Sequence, residues 1–357
     1  VAKKLSSDTT LFALTVALLG LGLVMVWSAS TAIAQDLHGN PYHFLIRQVV
    51  WACLGLVVMA AAMRLDYRKL RQPSVVYSAL GITTLLLIVV LFLPAVNEAH
   101  RWIRLGELSL QPAELAKIAI VLYLAYHLER RGERVNEFLT CVFPAVLLLG
   151  WFAFLVFIQP DLGSAAVLAA IGCVMLFIGG VRLRLFAALG VLGLPVLYHA
   201  VMAAAYRRDR IEAFLNPWSD ARGSGYQIIQ SLIALGTGGF KGVGLMEGHQ
   251  KLFYLPYPYS DFIFAVVGEE LGLLGTVAVV GAFLLFLWRG VRAAWKAPDR
   301  FGMLLAAGLT LEIVLQAFIN VSVVLGLLPT KGIPLPFISA GGSSLVITLL
   351  SVGLVLN

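Results

Sequence analysis

The sequence predicts an all-α polytopic membrane protein of about ten transmembrane helices, and three observations carry that prediction. Hydrophobic residues make up 60% of the 357 and charged residues only 13%, about half the charged share of an ordinary soluble domain. Mean hydropathy is +0.91. Apolar runs of bilayer length recur along the whole chain, separated by short polar or basic loops.

Taken in order, the runs predict helices over 11–33, 46–63, 75–94, 112–126, 139–158, 163–180, 183–205, 261–288, 302–327 and 336–357. The first follows the basic VAKKLSSD and continues without a small-residue cleavage site, so it reads as a span rather than a leader. The fourth opens on Pro112 with Glu114 in its first turn, a helix start. It is short, about 15 residues before His127, so it is expected to begin below the surface. Its Glu114 and Lys117 lie at i, i+3 on one face. The long segment 206–260, between the seventh and eighth predicted helices, carries Trp218, Tyr226, Phe240 and Tyr254 among turn glycines. Within it, SGYQIIQSLIALG has helical apolar spacing and reads as an amphipathic helix lying on the membrane. In LPTKGIPLPFISAGGSSL, residues 328–345, three prolines and a glycine pair interrupt helix. Irregular backbone at membrane depth persists only against protein or a water-filled cavity. No internal repeat or separate soluble domain is visible, so 1–357 reads as one transmembrane domain.

Orientation follows from the basic residues of the short loops. Lys3, Lys4, Arg64 to Arg71, Arg130 to Arg134, Arg182, Arg184 and Arg289 to Arg300 fall on one side; the other holds Arg47, Arg101, Arg104 and Lys331. Both termini are therefore expected in the cytoplasm, with 206–260 and Asp261 outside. The net charge of +7 is explained by this asymmetry and needs no nucleic acid.

Ionisable residues in such helices are costly and turn inward. Those expected toward the outer side are Arg101, Glu114, Lys117, Asp161, Lys251, Asp261, Glu269 and Lys331. Asp261, after Ser260 at the predicted start of the eighth helix, reads as an N-cap or as a functional carboxylate. Glu114 and Lys117 read as a structural ion pair or as part of a site. Asp161, in QPDLGS, reads as a turn and capping residue. Glu269 projects about 80° round the helix from Asp261 and ~12 Å deeper, with Glu270 opposite; at least one of the two needs a partner inside the bundle. GGSS at 341–344 offers either backbone N–H groups to an anion or close helix packing. Cys53, Cys141 and Cys173 lie in apolar segments without metal-ligand spacing and read as small buried hydrophobes, the histidines are scattered, and GVGLMEG lacks dinucleotide-binding spacing. What remains is a carboxylate with cations beside a membrane cavity. That suits a lipid-linked anionic substrate, either moved or reacted.

Five long stretches then converge on one family. RWIRLGELSLQPAELAK (101–117), QPDLGSA (159–165), NPWSDARGSGYQIIQSLIALGTGGFKGVGL (216–245), QKLFYLPYPYSDFIFAVVGEELG (250–272) and LPTKGIPLPFISAGGSSL (328–345) together resemble the SEDS family, the FtsW, RodA and SpoVE proteins of bacterial division, elongation and sporulation. QKLFYLP with Lys251 and LPTKG with Lys331 fit the FtsW branch better than the RodA branch. The resemblance implies a ten-helix peptidoglycan glycosyltransferase of the bacterial cytoplasmic membrane, polymerising lipid II at its outer face during septal wall synthesis. It implies as partners a class B penicillin-binding protein (an FtsI-like transpeptidase) and regulators of the FtsQ-FtsL-FtsB type. The family's essential aspartate matches Asp261, and Arg101, Trp102, Lys117 and Lys331 match positions the family relies on. Glu114, Gln159, Asp161, Lys251, Ser343 and Ser344 complete the expected substrate-binding set. A departure is YPYS, Tyr257 to Ser260, where family members usually read Glu-Ala-His-Thr.

On this reading Asp261 takes the proton of an attacking sugar hydroxyl. Arg101, Lys117, Lys251 or Lys331 meets the leaving pyrophosphate, and a divalent cation (Mg or Mn) is compatible with that role. The alternatives are a lipid II flippase, which cavity, charges and broken helices also suit, an elongation polymerase like RodA, and a noncatalytic division scaffold.

Overall fold

The computed structural model describes residues 8–94, 99–106 and 108–357. Helices α1 (Thr9–His38), α2 (His43–Ala62) and α3 (Pro73–Val89) lead to a hairpin of β1 (Ile103–Leu105) and β2 (Leu108–Leu110). Then follow α4 (Pro112–Arg131), α5 (Phe143–Ile158), α6 (Leu162–Ile178), α7 (Leu183–Met202), α8 (Ala205–Leu215), α9 (Tyr226–Gly238), α10 (Ile263–Trp295), α11 (Arg300–Val324) and α12 (Gly342–Val355). Each predicted span coincides with an observed helix. Among the described residues, 7 helical segments are long and apolar enough to cross a membrane, and α6 and α12 are shorter apolar helices.

Helix α11 is central, packed against α4, α6, α10 and α12; α2 pairs with α12, α3 with α4, and α5 with α6. Because α4 is walled by protein, its run from Ile120 to Leu128 is buried on every side, and it can keep charges that a lipid-facing helix could not. It is also longer than predicted. His127 does not end it, because its Nε2 meets the Cys141 carbonyl at 2.9 Å, and the helix runs 20 residues to Arg131, ~30 Å at the helical rise.

A set of ion pairs and caps ties one end of the bundle together. Arg289 pairs with Asp8, Arg71 with Glu129 at 3.0 Å, and Arg300 donates to the carbonyls of Gly132 and Gly179. These contacts gather the start of α1, the ends of α4, α6 and α10 and the start of α11 at one end, where the basic loops lie.

Five further expectations are corrected. The β1–β2 hairpin, in antiparallel register with Ile103 opposite Leu110, was not predicted. Helix α9 docks on α10 and α11, a packing the amphipathic reading did not include: Ile228, Ile229 and Ala234 are buried and the Ser231 hydroxyl donates to the Val324 carbonyl at 2.7 Å, while Leu232 and Ile233 stay exposed. The last helix starts at Gly342, not 336, since prolines 334 and 336 keep the preceding chain irregular though buried. Of the cysteines only Cys141 is buried; Cys53 and Cys173 are exposed on the outer surface of the bundle.

The fifth correction changes the site. Helix α10 begins at Ile263, with Phe262 at the N-cap and no side-chain cap bond. It breaks at Gly272, whose φ of 65° and ψ of −161° suit a residue without a Cβ. The strand-like loop after α9 fills the break. Leu273 and Leu274 N–H groups donate to the carbonyls of Gly239 and Phe240 at 2.9 and 3.3 Å, and Val243 and Gly244 donate to those of Glu269 and Glu270 at 3.0 and 3.1 Å. The peptide groups freed by the break are thereby satisfied, which a buried break requires.

Candidate functional site

At the end of the bundle away from the basic loops, the chain entering α6 meets the hairpin strand, the 331–341 segment and the start of α10. Arg101, just before β1, donates from Nε to the Gln159 carbonyl at 3.1 Å and from Nη2 to the Pro160 carbonyl. The Gln159 amide donates in turn to the Leu87 carbonyl at 3.0 Å. Asp161 caps α6 through the Ser164 N–H and hydroxyl at 3.1 and 2.8 Å. It also sits 3.3 Å from Lys331 Nζ and 4.0 Å from Arg101 Nε. Burial alone would raise its carboxyl, but Lys331, Arg101 and the Ser164 donors outweigh burial and hold it below the ordinary range. Burial lowers the Lys331 ammonium despite Asp161.

Asp261 is half-buried at the end of the 251–260 loop. The capping reading fails, since Phe262 holds the N-cap position. No ion pair among the described residues involves its carboxylate, which lies against Gly332: a Cβ built there would be 2.8 Å from Asp261 Oδ2. Loss of solvent pushes its carboxyl up to about 6, partly offset by the Ser260 hydroxyl and the fields of Arg101 and Arg210. Arg210, on α8, is a cation that the sequence reading passed over because it sits in a run of loop arginines. Together with Arg207 and Lys331 it lines a cavity of about 280 Å³ whose other walls, including Leu162, Val167, Ile319 and Val323, are apolar.

A second charged group lies beneath. Lys117 is 2.9 Å from Glu114 and 3.8 Å from Glu312, and donates to Gln316; all four are buried. Ser351 donates to Glu312 at 3.3 Å. A cavity of about 20 Å³ lined by Gln111, Glu114, Lys117, Ser164, Gln316 and Gly332 separates this group from the Asp261 side; it has room for about one water. Ser343, in the first turn of α12, accepts from the Gln111 N–H at 3.1 Å. Ser344 is buried beside it, and Trp102 is half-buried.

Lys251 stands apart from both groups. Its ammonium is 2.6 Å from Glu270 Oε1 and 2.8 Å from the Ser28 hydroxyl. Glu270 also accepts from Ser28 at 2.6 and 2.8 Å and from the Met246 N–H at 3.0 Å. Glu269 accepts from the N–H groups of His249 and Gln250, at 2.8 Å and 3.1 Å to the same oxygen. Both glutamates thus find partners, and the partners belong to the loop 246–251 and to α1.

Among the described residues no group of three or more His, Cys, Asp or Glu side chains could hold a metal ion.

Fold and site together define a class: a multi-pass membrane protein with a carboxylate-and-cation site at one end of its bundle, beside an apolar cavity. The chain matches the family described as "Cell cycle protein", FtsW/RodA/SpoVE, over residues 9–357. It is 47% identical over 354 residues to "Probable peptidoglycan glycosyltransferase FtsW" of Geobacter metallireducens, covering 98% of this chain and 94% of that one. It is 41% identical over 359 residues to "Stage V sporulation protein E" of Bacillus subtilis, covering 99% and 97%. Its structure superposes with TM-score 0.80 and 31% identity, over 99% and 97% of the two chains, on one described under "Structural coordination of polymerization and crosslinking by a peptidoglycan synthase complex". It also superposes on Thermus thermophilus RodA, with TM-score 0.72, 30% identity and 99% and 96% coverage. The chain belongs to the FtsW/RodA/SpoVE family.

Proposed function

We propose that this protein is a peptidoglycan glycosyltransferase that polymerises lipid II at the outer face of the cytoplasmic membrane in septal wall synthesis, with Asp261 as general base. The observation that carries the chemistry is a half-buried carboxylate, in no ion pair among the described residues, set among cations beside an apolar cavity. A carboxylate raised to about 6 is still mostly ionised at neutral pH. It is also a better proton acceptor than an ordinary aspartate.

In the step, the acceptor sugar's 4-hydroxyl oxygen attacks the donor's anomeric carbon. The bond from that carbon to the pyrophosphate oxygen breaks, and the hydroxyl proton passes to Asp261. Single displacement converts the α-linked donor to a β-linked product. Charge builds on the departing polyprenyl pyrophosphate, and preorganised cations in a dry site stabilise such charge. Arg101, Arg210 and Lys331 are the cations placed to do so. The cavity of about 280 Å³ puts apolar walls behind two of them, which fits a lipid tail below its headgroup. Lys251, neutralised by Glu270, is assigned to holding the loop rather than to the pyrophosphate. Asp161, pinned by Lys331 and Ser164, is assigned to holding Lys331.

The basic-loop asymmetry supports an extracytoplasmic site, and the similar structure described under polymerization and crosslinking by a peptidoglycan synthase complex supports a crosslinking partner, for which a class B penicillin-binding protein is proposed. The test is to mix purified protein, that partner and lipid II in detergent and resolve glycan strands on a gel. Detergent removes any two-compartment transport. Polymer that disappears with Asp261→Asn supports the reading; liposomal lipid II transport without polymer would instead favour a flippase.

A further inference from the structure

Three successive carbonyls lead into the α10 start, and each has its own donor. The Tyr259 carbonyl accepts from the Ala340 N–H at 2.9 Å. The Ser260 carbonyl accepts from the Ser339 hydroxyl at 2.6 Å, and the Asp261 carbonyl from Asn320 Nδ2 at 2.8 Å. No helix or sheet ladder reaches these carbonyls; apart from the turn bonds of the Ser260 and Phe262 N–H groups to the Tyr257 carbonyl, at 3.2 and 3.5 Å, these donors hold the segment. We infer that Asn320 and Ser339 are positioning residues for glycosyl transfer: they pin the backbone of residues 260 and 261 onto the 331–340 segment and so aim the Asp261 carboxylate past Gly332 into the site. The inference rests on the reading of Asp261 as general base.

Asn320 is built for two carbonyls at once. Its second N–H donates to the Ile333 carbonyl at 2.7 Å, two residues from Lys331. One amide therefore joins the segment carrying the carboxylate to the segment carrying a cation. Its own oxygen is a buried acceptor without a partner among the described residues, a costly arrangement that makes sense where both N–H groups are needed. Ser339 is used twice as well, accepting from the Leu335 N–H at 2.7 Å while donating to Ser260. Its hydroxyl closes the proline-rich turn and docks the loop on it. Asn320 is also the last step of a polar stripe on α11. Glu312, Gln316 and Asn320 are spaced i, i+4, i+8 on one face. Gln316 donates to the Pro334 carbonyl at 3.0 Å, so the stripe supports the irregular segment at successive residues. Misplacing a reacting group by about 1 Å costs on the order of 100-fold in rate, which sets the scale for a loosened clamp.

The experiment is steady-state polymerisation of lipid II by the protein–partner complex, across pH, for Asn320→Leu, Ser339→Ala, Ser339→Thr and Asp261→Asn. Arg101, Arg210, Asp161 and Lys331 face Asp261 from the neighbouring elements and are unchanged in the clamp variants. Asn320→Leu and Ser339→Ala are expected to lower kcat about 10- to 100-fold with KM within about twofold. The acid limb of their pH profile should move to lower pH as the loosened carboxylate gains water. Ser339→Thr keeps the hydroxyl and should restore most of kcat. If Asn320→Leu does not fold, Ser339→Ala against Ser339→Thr carries the test. Wild-type kcat and an unmoved acid limb in the clamp variants, with Asp261→Asn inactive, would overturn the clamp and leave the base standing. Full activity of Asp261→Asn would overturn both.

Discussion

The stretch from Tyr257 to Gly272 holds three carboxylates in two very different settings. Glu269 and Glu270, in the last turn before the break in α10, are fully engaged: two backbone N–H groups hold the first, and Lys251, Ser28 and the Met246 N–H hold the second. Asp261, at the other end of the same buried segment, has a hydroxyl neighbour and distant cations but no ion pair among the described residues. Burial is costly for all three. The glutamates recover that cost locally and bind a loop to a helix. Asp261 recovers less of that cost, and this is why it is the residue proposed as the base. Unspent capacity, more than charge, separates a site from a strut.

The largest expected effect breaks the comparison at Asp261. Asn is nearly the same size, so Asp261→Asn should fold, bind its partner and lose about 10²- to 10⁴-fold in polymerisation, as read on glycan gels. Its apparent Tm should be no lower than wild type. A carboxyl whose folded value is raised disfavours the fold at pH above its unfolded value, and the amide removes that penalty. Asp261→Glu, one methylene longer, should be strongly impaired too. A well-folded Asp261→Asn protein polymerising at the wild-type rate would pass suspicion to Glu114 or Asp161.

Next come the engaged charges, where stability should suffer first. Removing Lys117 strands Glu114 and Glu312 in the core, and breaking a buried pair this way costs ~3–5 kcal/mol. Lys117→Met should lower the apparent Tm sharply in a thermal melt. Normal melting with lost activity would show Lys117 to be a substrate ligand instead, and normal melting with full activity would sink both roles. Lys251→Met should likewise destabilise by ~3–5 kcal/mol, and Lys251→Met with Glu270→Leu should recover most of that, as paired apolar replacements often do. If the double variant melts like wild type yet makes no glycan, Lys251 or Glu270 acts on substrate after all.

How much of this was legible in the sequence depends on how local each cause is. The spans followed from apolar run length alone. Asp261, Lys331 and Asp161 stood out because charges are rare in such a chain and fell in helix-breaking motifs. The Lys251–Glu270 pair did not, since a folded loop brings together residues whose spacing follows no helical or strand period. The amphipathic face of α9 reads the same whether it meets lipid or α10. The β1 and β2 strands are three residues each, too short for alternation to declare itself. Glu312, Gln316 and Asn320 did leave a signal, a polar stripe at helical period in an apolar run. Two of the three are uncharged, and neutral amides are easily read as tolerated rather than required.

The smallest expected effect is a titration, and it sharpens the comparison without any mutation. If Asp261 is the base, only its ionised form takes the hydroxyl proton. Burial raises its carboxyl to about 6, so acidification through that value protonates it and removes activity, whereas an ordinary aspartate would stay ionised until near 4. Polymerisation at lipid II well below KM, which reads ionisations of the free enzyme, should therefore be flat above neutrality and fall to about half its plateau near pH 6. Asp161 is held below the ordinary range and remains charged throughout, so it adds nothing to this limb. Lipid II's pyrophosphate is esterified at both ends and stays ionised across this range, so it adds nothing either; the control is a melt at each pH, which should not fall while the rate halves. A rate unchanged down to about pH 4.5 would mean that the group accepting the proton is an ordinary solvated carboxylate, and the half-buried, unpaired Asp261 would not be that group.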